Sequence, residues 1–208
     1  WQQDLTNMVL RDRNHPSVIM WSFGNEIQER ADSLGVEIAK NCISVIKSLD
    51  STRPVTQAVC GFWDNPGLNW DDSAPAFEHL DIGGYNYQWA QYEGDHIKYP
   101  KRIMVGSESL ALEAFENWQQ VEKSSWVIGD FIWTGMDYIG ESGIGHTRYV
   151  PDKNVEKTFY SPWPVYVSWC GDLYITGNKK PQSYYRDVLW GESKLEIMVH
   201  EPIPQGMV

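Results

Sequence analysis

The sequence predicts a parallel α/β fold, and three observations carry that expectation. Five short apolar runs recur along its 208 residues, at 17–23, 54–59, 81–85, 102–106 and 127–133, with crossover-length segments between them. The first run shows no in/out alternation, which suits a parallel strand covered on both faces. Between the first two runs, Leu34, Ile38, Cys42, Val45 and Leu49 recur at spacings of four, four, three and four, the stripe of a helix laid against a sheet.

Residues 1–13 read as an amphipathic helix stopped by Asn14-His15-Pro16, because Asn tolerates the left-handed cap position and Pro cannot continue a helix. The first strand follows, then the striped helix, which Arg53-Pro54 ends. Helical segments near 76–80, 91–99 and 115–126 alternate with the remaining strands, and a last helix is expected at 182–190. The longest irregular stretches, 61–75 and 140–163, hold Phe62, Trp63, Trp70 and Trp163. Loops of that length inside a compact domain are usually functional or disordered, and their aromatic content favours function.

Composition narrows the partners. Seventeen basic against 28 acidic residues give a net charge of −11, which disfavours nucleic acid and anionic membrane, since both require a basic footprint. No stretch approaches the roughly 18 to 20 apolar residues of a membrane span, and no basic-then-apolar leader opens the chain. Cys42, Cys60 and Cys170 are widely spaced, without a CxxC pair, and read as reduced or inert. A chain that begins at Trp1 inside a helical pattern reads as a piece of something longer, so its compartment is unknown.

Most of the strands end in polar residues that a core would reject: Asn25-Glu26 after the first, Asn86-Tyr87 after the third, Glu108 after the fourth, Asp137 just beyond the fifth. In a parallel barrel the C-terminal strand ends converge on one mouth, where catalytic groups from different strands meet. Two carboxylates arriving there from different strands fit glycoside hydrolysis, in which one protonates the leaving oxygen and the other attacks or activates water. Taken singly, Glu26 and Glu108 would be ordinary solvated loop residues, and Trp63, Trp89 and Trp133 ordinary core aromatics. The joint pattern carries the expectation.

The segment RDRNHPSVIMWSFGNE, residues 11–26, closely resembles the acid/base signature of glycoside hydrolase family 2, which contains β-galactosidases, β-glucuronidases and β-mannosidases. The resemblance continues in family order through DIGGYNY (81–87), RIMVGSES (102–109), GDFIWTGMDYIGES (129–142) and WCGDLYITGNKKPQSYYRDVLW (169–190). It implies a partial (β/α)8 TIM barrel holding strands four to eight, with 1–190 in the catalytic domain and 191–208 a tail or the start of a following β-domain. It further implies that Glu26 is the general acid/base, Glu108 the nucleophile, Asn25 the amide that meets the sugar 2-hydroxyl and Tyr87 a neighbour of the nucleophile. By the same resemblance Trp133 walls the sugar subsite, and Asp137 and Glu141 lie in the mouth.

The implied activity is a retaining glycosidase acting by double displacement on a terminal β-linked sugar, most readily a β-galactosidase. A β-glucuronidase or β-mannosidase is the alternative within the family, and a non-catalytic carbohydrate-binding or interaction fragment the alternative outside it. The sequence departs from the family's β-galactosidases after the nucleophile, where Glu108-Ser109-Leu110-Ala111 stands in place of a following Tyr and His. Glucuronidases of the family grip the sugar carboxylate with an Asn-x-Lys pair. Asn178-Lys179-Lys180 offers one superficially, but reads as a solvated loop before the last helix. Carbohydrate is the expected partner, and a homo-oligomer is compatible with the sequence. No cofactor and no metal is expected on these residues alone, although magnesium is found near the acid/base of certain family β-galactosidases, held by partners upstream of this chain. The isolated chain is expected to be inactive.

Overall fold

Five parallel-type strands stand side by side in chain order, β1-β2-β3-β4-β5, in a computed structural model that describes residues 1–140, 143–151 and 164–207. The strands are β1 (Trp21–Asn25), β2 (Val55–Val59), β3 (Gly83–Asn86), β4 (Met104–Ser109) and β5 (Val127–Ile132). The pairs β1–β2, β2–β3 and β3–β4 are parallel. The helices are α1 (Gln2–Asp12), α2 (Ser33–Leu49), α3 (Tyr92–Lys98), α4 (Ala114–Lys123) and α5 (Pro181–Leu189). Sequential parallel neighbours joined by helical crossovers are the α/β barrel pattern, and this is a partial barrel of that class.

The chain divides into two compact units. The first comprises residues 1–109 and 116–131, the second 110–115 and 132–208. Two apolar clusters hold the first unit together. Val9 of α1, Trp21 of β1, Ile46 of α2 and Val55 of β2 form one, with Leu5, Met8 and Ile43 packed against them. Val59, Phe77, Tyr85, Tyr92, Met104 and Val127 form the other, where helices and turns cover β2 to β5. In the second unit, Arg186 of α5 is buried against Asp172, and bridges join Met136 to Leu173 and Ile139 to Val167.

Three local expectations are corrected. The first strand begins at Trp21, not at residue 17, because the Val18 carbonyl is taken by the Arg53 guanidinium at 2.6 Å and Ile19 is 63% exposed. As the outermost strand with β2 alone beside it, β1 is also less covered than a central strand, and Ser22 and Asn25 are exposed. Helix α2 has the expected span but another buried face. Leu34 and Ile38 are exposed, while Gly35, Ala39 and Ile46 are buried. Gly35 lies so close to the Glu29 carbonyl that a Cβ there would sit 2.1 Å from it, so small size sets the N-terminal part of this face, while Ile46 and Ile43 join the apolar cluster further along. Finally, the helix expected at 76–80 is a 3-10 segment, Trp70–Phe77, opened by a reciprocal Asn69–Asp72 capping box and carrying Pro75, which favours the short tight helix over an α-helix.

Candidate active site

Four strands bring chemistry to their C-terminal ends within the first unit. Glu26 follows the last residue of β1, and its backbone N–H binds the Ala58 carbonyl of β2 at 2.9 Å. Glu108 lies within the last turn of β4 pairing, opposite Asn86 of β3. The strand register thus lands the two carboxylates on either side of the β3 terminus.

The consecutive residues Asn86 and Tyr87 reach one carboxylate each. Asn86 is fully buried, and its Nδ2 donates to Glu26 Oε1 at 3.1 Å and to Asn25 Oδ1 at 3.0 Å. Its Oδ1 accepts from Ser107 Oγ at 2.7 Å. Tyr87 donates its hydroxyl to Glu108 Oε2 at 2.7 Å, while its backbone N–H binds the Glu108 carbonyl at 2.8 Å. Next along β4, Ser109 donates to Asp130 Oδ2 at 2.7 Å, which ties the Glu108 segment to β5.

Glu26 and Tyr87 share a backbone feature. Their φ angles are +48° and +58°, the two positive values among described residues other than glycine. Such conformations cost of order 1–3 kcal/mol each and cluster where surrounding structure imposes them at functional sites.

The loop after β2 is fixed from the Glu26 side. Arg30, 2% exposed, pairs with Asp64 and donates to the Gly61 carbonyl at 2.7 Å and the Ile27 carbonyl at 2.9 Å. Its guanidinium also lies 4.5 Å over the Phe62 ring. Burial opposes its charge, but the Asp64 bond and the nearby Glu26 carboxylate favour it, and the net displacement is upward. Burial, followed by the Glu26 charge, pushes the Cys60 thiol up to about 11, so this cysteine is neutral and unreactive near neutral pH.

In the second unit Trp133 is half-buried, with its ring edge-on to Tyr138 at 6.0 Å, and the Trp133–Thr134 peptide is cis. Asp137 is 4% exposed. Lys180 Nζ lies 2.6 Å from its Oδ2, and the Gly171 N–H donates to Oδ1 at 2.8 Å. Lys180 is therefore buried, contrary to the solvated loop expected there, because Asp137 and the Trp169 carbonyl, 2.9 Å away, replace its water. Lys179 pairs with Asp187 at 2.5 Å. Glu141 and Trp163 lie outside the described residues. Of the other aromatics, Trp89 packs on the core and Trp63 is 76% exposed.

Sequence named Asn86 as a polar strand end without giving it a role, and did not single out Ser107 or Arg30. The Asn-Tyr pair closing a strand was the available signal for Asn86; nothing in the sequence marked the other two. Among described residues no three His, Cys, Asp or Glu side chains gather as a metal site.

Comparison with known proteins decides the family. Residues 1–77 match the model of glycosyl hydrolases family 2, TIM barrel domain. A crystal structure of a glycosyl hydrolase family 2 member from Bacteroides cellulosilyticus superposes with TM-score 0.78 at 44% identity, covering 91% of this chain and 23% of that one. The chain belongs to glycoside hydrolase family 2. Among curated family 2 relatives, the β-galactosidase BoGH2A of Bacteroides ovatus is 26% identical over 93% of this chain and 29% of its own length. Human β-glucuronidase is 29% identical over 67% of this chain and 26% of its own. The chain thus spans under a third of the length of each of these two relatives. No described helix is long and apolar enough to cross a membrane.

Proposed function

We propose that this chain carries the two reacting carboxylates of a retaining β-glycosidase, most readily a β-galactosidase, with Glu26 as acid/base and Glu108 as nucleophile. One observation carries the reading: adjacent residues at the end of β3, Asn86 and Tyr87, each hydrogen-bond one of the two carboxylates. That arrangement suits a mechanism in which both must address a single glycosidic bond.

Ionised Glu108 attacks the anomeric carbon while protonated Glu26 gives its proton to the departing oxygen. The Tyr87 hydroxyl donates to Glu108 Oε2 and so orients it. Forming the glycosyl ester removes the charge of Glu108, and Glu26 then takes a proton from the incoming water. Asn25 meets the sugar 2-hydroxyl. Asp137, engaged by Lys180 and Gly171, braces the segment that carries Trp133.

The β-galactosidase reading is favoured over β-glucuronidase by the lysines of the Asn178-Lys179-Lys180 loop. Both ammonium groups already have carboxylate partners, Asp187 and Asp137, and neither is left to grip a sugar carboxylate.

The test uses the complete polypeptide that carries this chain, assayed on aryl β-galactosides, β-glucuronides and β-mannosides. Glu26→Gln should slow substrates with poor leaving groups by about 100- to 10,000-fold, yet slow activated aryl glycosides far less, since these need little protonation. Equal losses on both would remove Glu26 from the acid/base role.

A further inference from the structure

Asn86 stands where two amides and a carboxylate meet, and its own orientation is determined by what surrounds it. Its Nδ2 faces Asn25 Oδ1 and Glu26 Oε1, while its Oδ1 accepts from Ser107 Oγ. With Asn25 and Glu26 placed as they are, the flipped amide would set an acceptor oxygen against two acceptors, with no water at the buried Asn86 side chain to relieve it, so its surroundings favour this orientation.

We propose that Asn86 is a positioning residue that fixes which oxygen of Glu26 carries the catalytic proton and which end of Asn25 faces the sugar. The inference rests on the glycosidase reading above and adds to it.

Two consequences follow from hydrogen-bond polarity. An N–H donated to Glu26 Oε1 keeps the proton off that oxygen, so in the acid form the proton resides on Oε2. Likewise, Asn86 occupies Asn25 Oδ1, which turns the Asn25 amide so that its Nδ2, with two donors, is the end left for an outside acceptor. A hydroxyl at sugar carbon 2 is such an acceptor, and bonds to it strengthen in the transition state of glycoside cleavage. Ser107, on the neighbouring strand, acts one step further back by pinning Asn86.

The substitution Asn86→Asp is isosteric but exchanges the donor for a second acceptor beside Glu26. In the complete enzyme, two readouts should move together. The basic limb of the kcat/KM pH profile, which reports loss of the acid's proton, should rise by about one unit, because a neighbouring carboxylate disfavours ionisation of Glu26. The preference for a glycoside over its 2-deoxy analogue should fall by about tenfold, because Asn25 is no longer held donor-outward. A residue that only supported folding would lower activity on both substrates alike and leave the limb in place.

Asn86→Asp with native circular dichroism, an unmoved basic limb and an unchanged 2-deoxy ratio would overturn the proposal. If that variant does not fold, Ser107→Ala decides: the 2-deoxy preference should still drop by about threefold, and an unchanged ratio overturns the inference. Glu26→Gln runs in parallel. A leaving-group effect there with none of the Asn86 effects defeats this inference alone, whereas no leaving-group effect defeats the glycosidase assignment itself.

Discussion

Asp50 shows how much one carboxylate can hold. Its Oδ1 accepts from the Thr52 hydroxyl at 2.6 Å and the Thr52 N–H at 2.9 Å; its Oδ2 accepts from Arg53 at 2.6 Å and the Trp21 indole at 3.0 Å. These donors, the Thr52 hydroxyl foremost, hold its carboxyl well below the usual range. The unfolded chain therefore binds this proton more readily than the folded one as pH falls, so the stabilisation is complete above the ordinary carboxylate range and drains away in acid. Asp50→Asn should cost about 2 kcal/mol at pH 7, since it removes charge-assisted bonds. The gap between variant and parent in thermal or urea unfolding should narrow as pH drops below about 4. A gap that is constant from pH 3 to pH 7 would show that the charge of Asp50 contributes nothing.

Strand β3 is the element on which the site depends, and its glycines explain how it fits. A Cβ on Gly84 would lie 2.5 Å from the Gln57 carbonyl of β2 and 3.0 Å from Ser107 Oγ; one on Gly83 would lie 2.8 Å from the Phe77 ring. Gly84→Ala forces backbone apart and should destabilise the protein by about 1–3 kcal/mol, read as a lowered urea midpoint at unchanged m-value. An unchanged midpoint would mean that β2 and β3 can separate without loss. Elements of this kind were only partly legible in sequence. All five strands were recognisable because apolar runs of strand length are bounded by Gly, Pro and polar residues. Their ends shifted by up to four residues, as with β4, which extends through Glu108 and Ser109, because pairing with β3 continues beyond the apolar run. The face of α2 differs for another reason: periodicity weighs apolar size, whereas that helix turns Gly35 onto the Glu29 backbone and Ile46 into the apolar cluster.

Across the molecule, the sheet has two outer strands, β1 and β5, with no further strand paired beyond them among the described residues. Exposed Ile128 and Phe131 lie on β5. Unpaired edges with apolar side chains invite strand addition. The 208-residue chain on its own should self-associate and lack glycosidase activity, which size-exclusion chromatography with light scattering and an aryl-glycoside assay would read. A stable, active monomer would contradict this. At this scale the family was legible from the run at 11–26 and the segments that follow it in order. The joining of Glu26 and Glu108 through neighbouring residues was not, because it depends on the register between β3 and β4, and a shift of one residue would turn Asn86 to the other face.

The left-handed backbone at Glu26 and Tyr87 has a bearing on descent. Glycine or asparagine at either position would relax the chain, so each is held there against a thermodynamic gradient. A lineage screened for heat resistance alone would drift toward those two substitutions first. In decayed relatives, the loss of Glu26 and Tyr87 to small, turn-forming residues would therefore record relaxed selection on chemistry while the rest of the sheet persists.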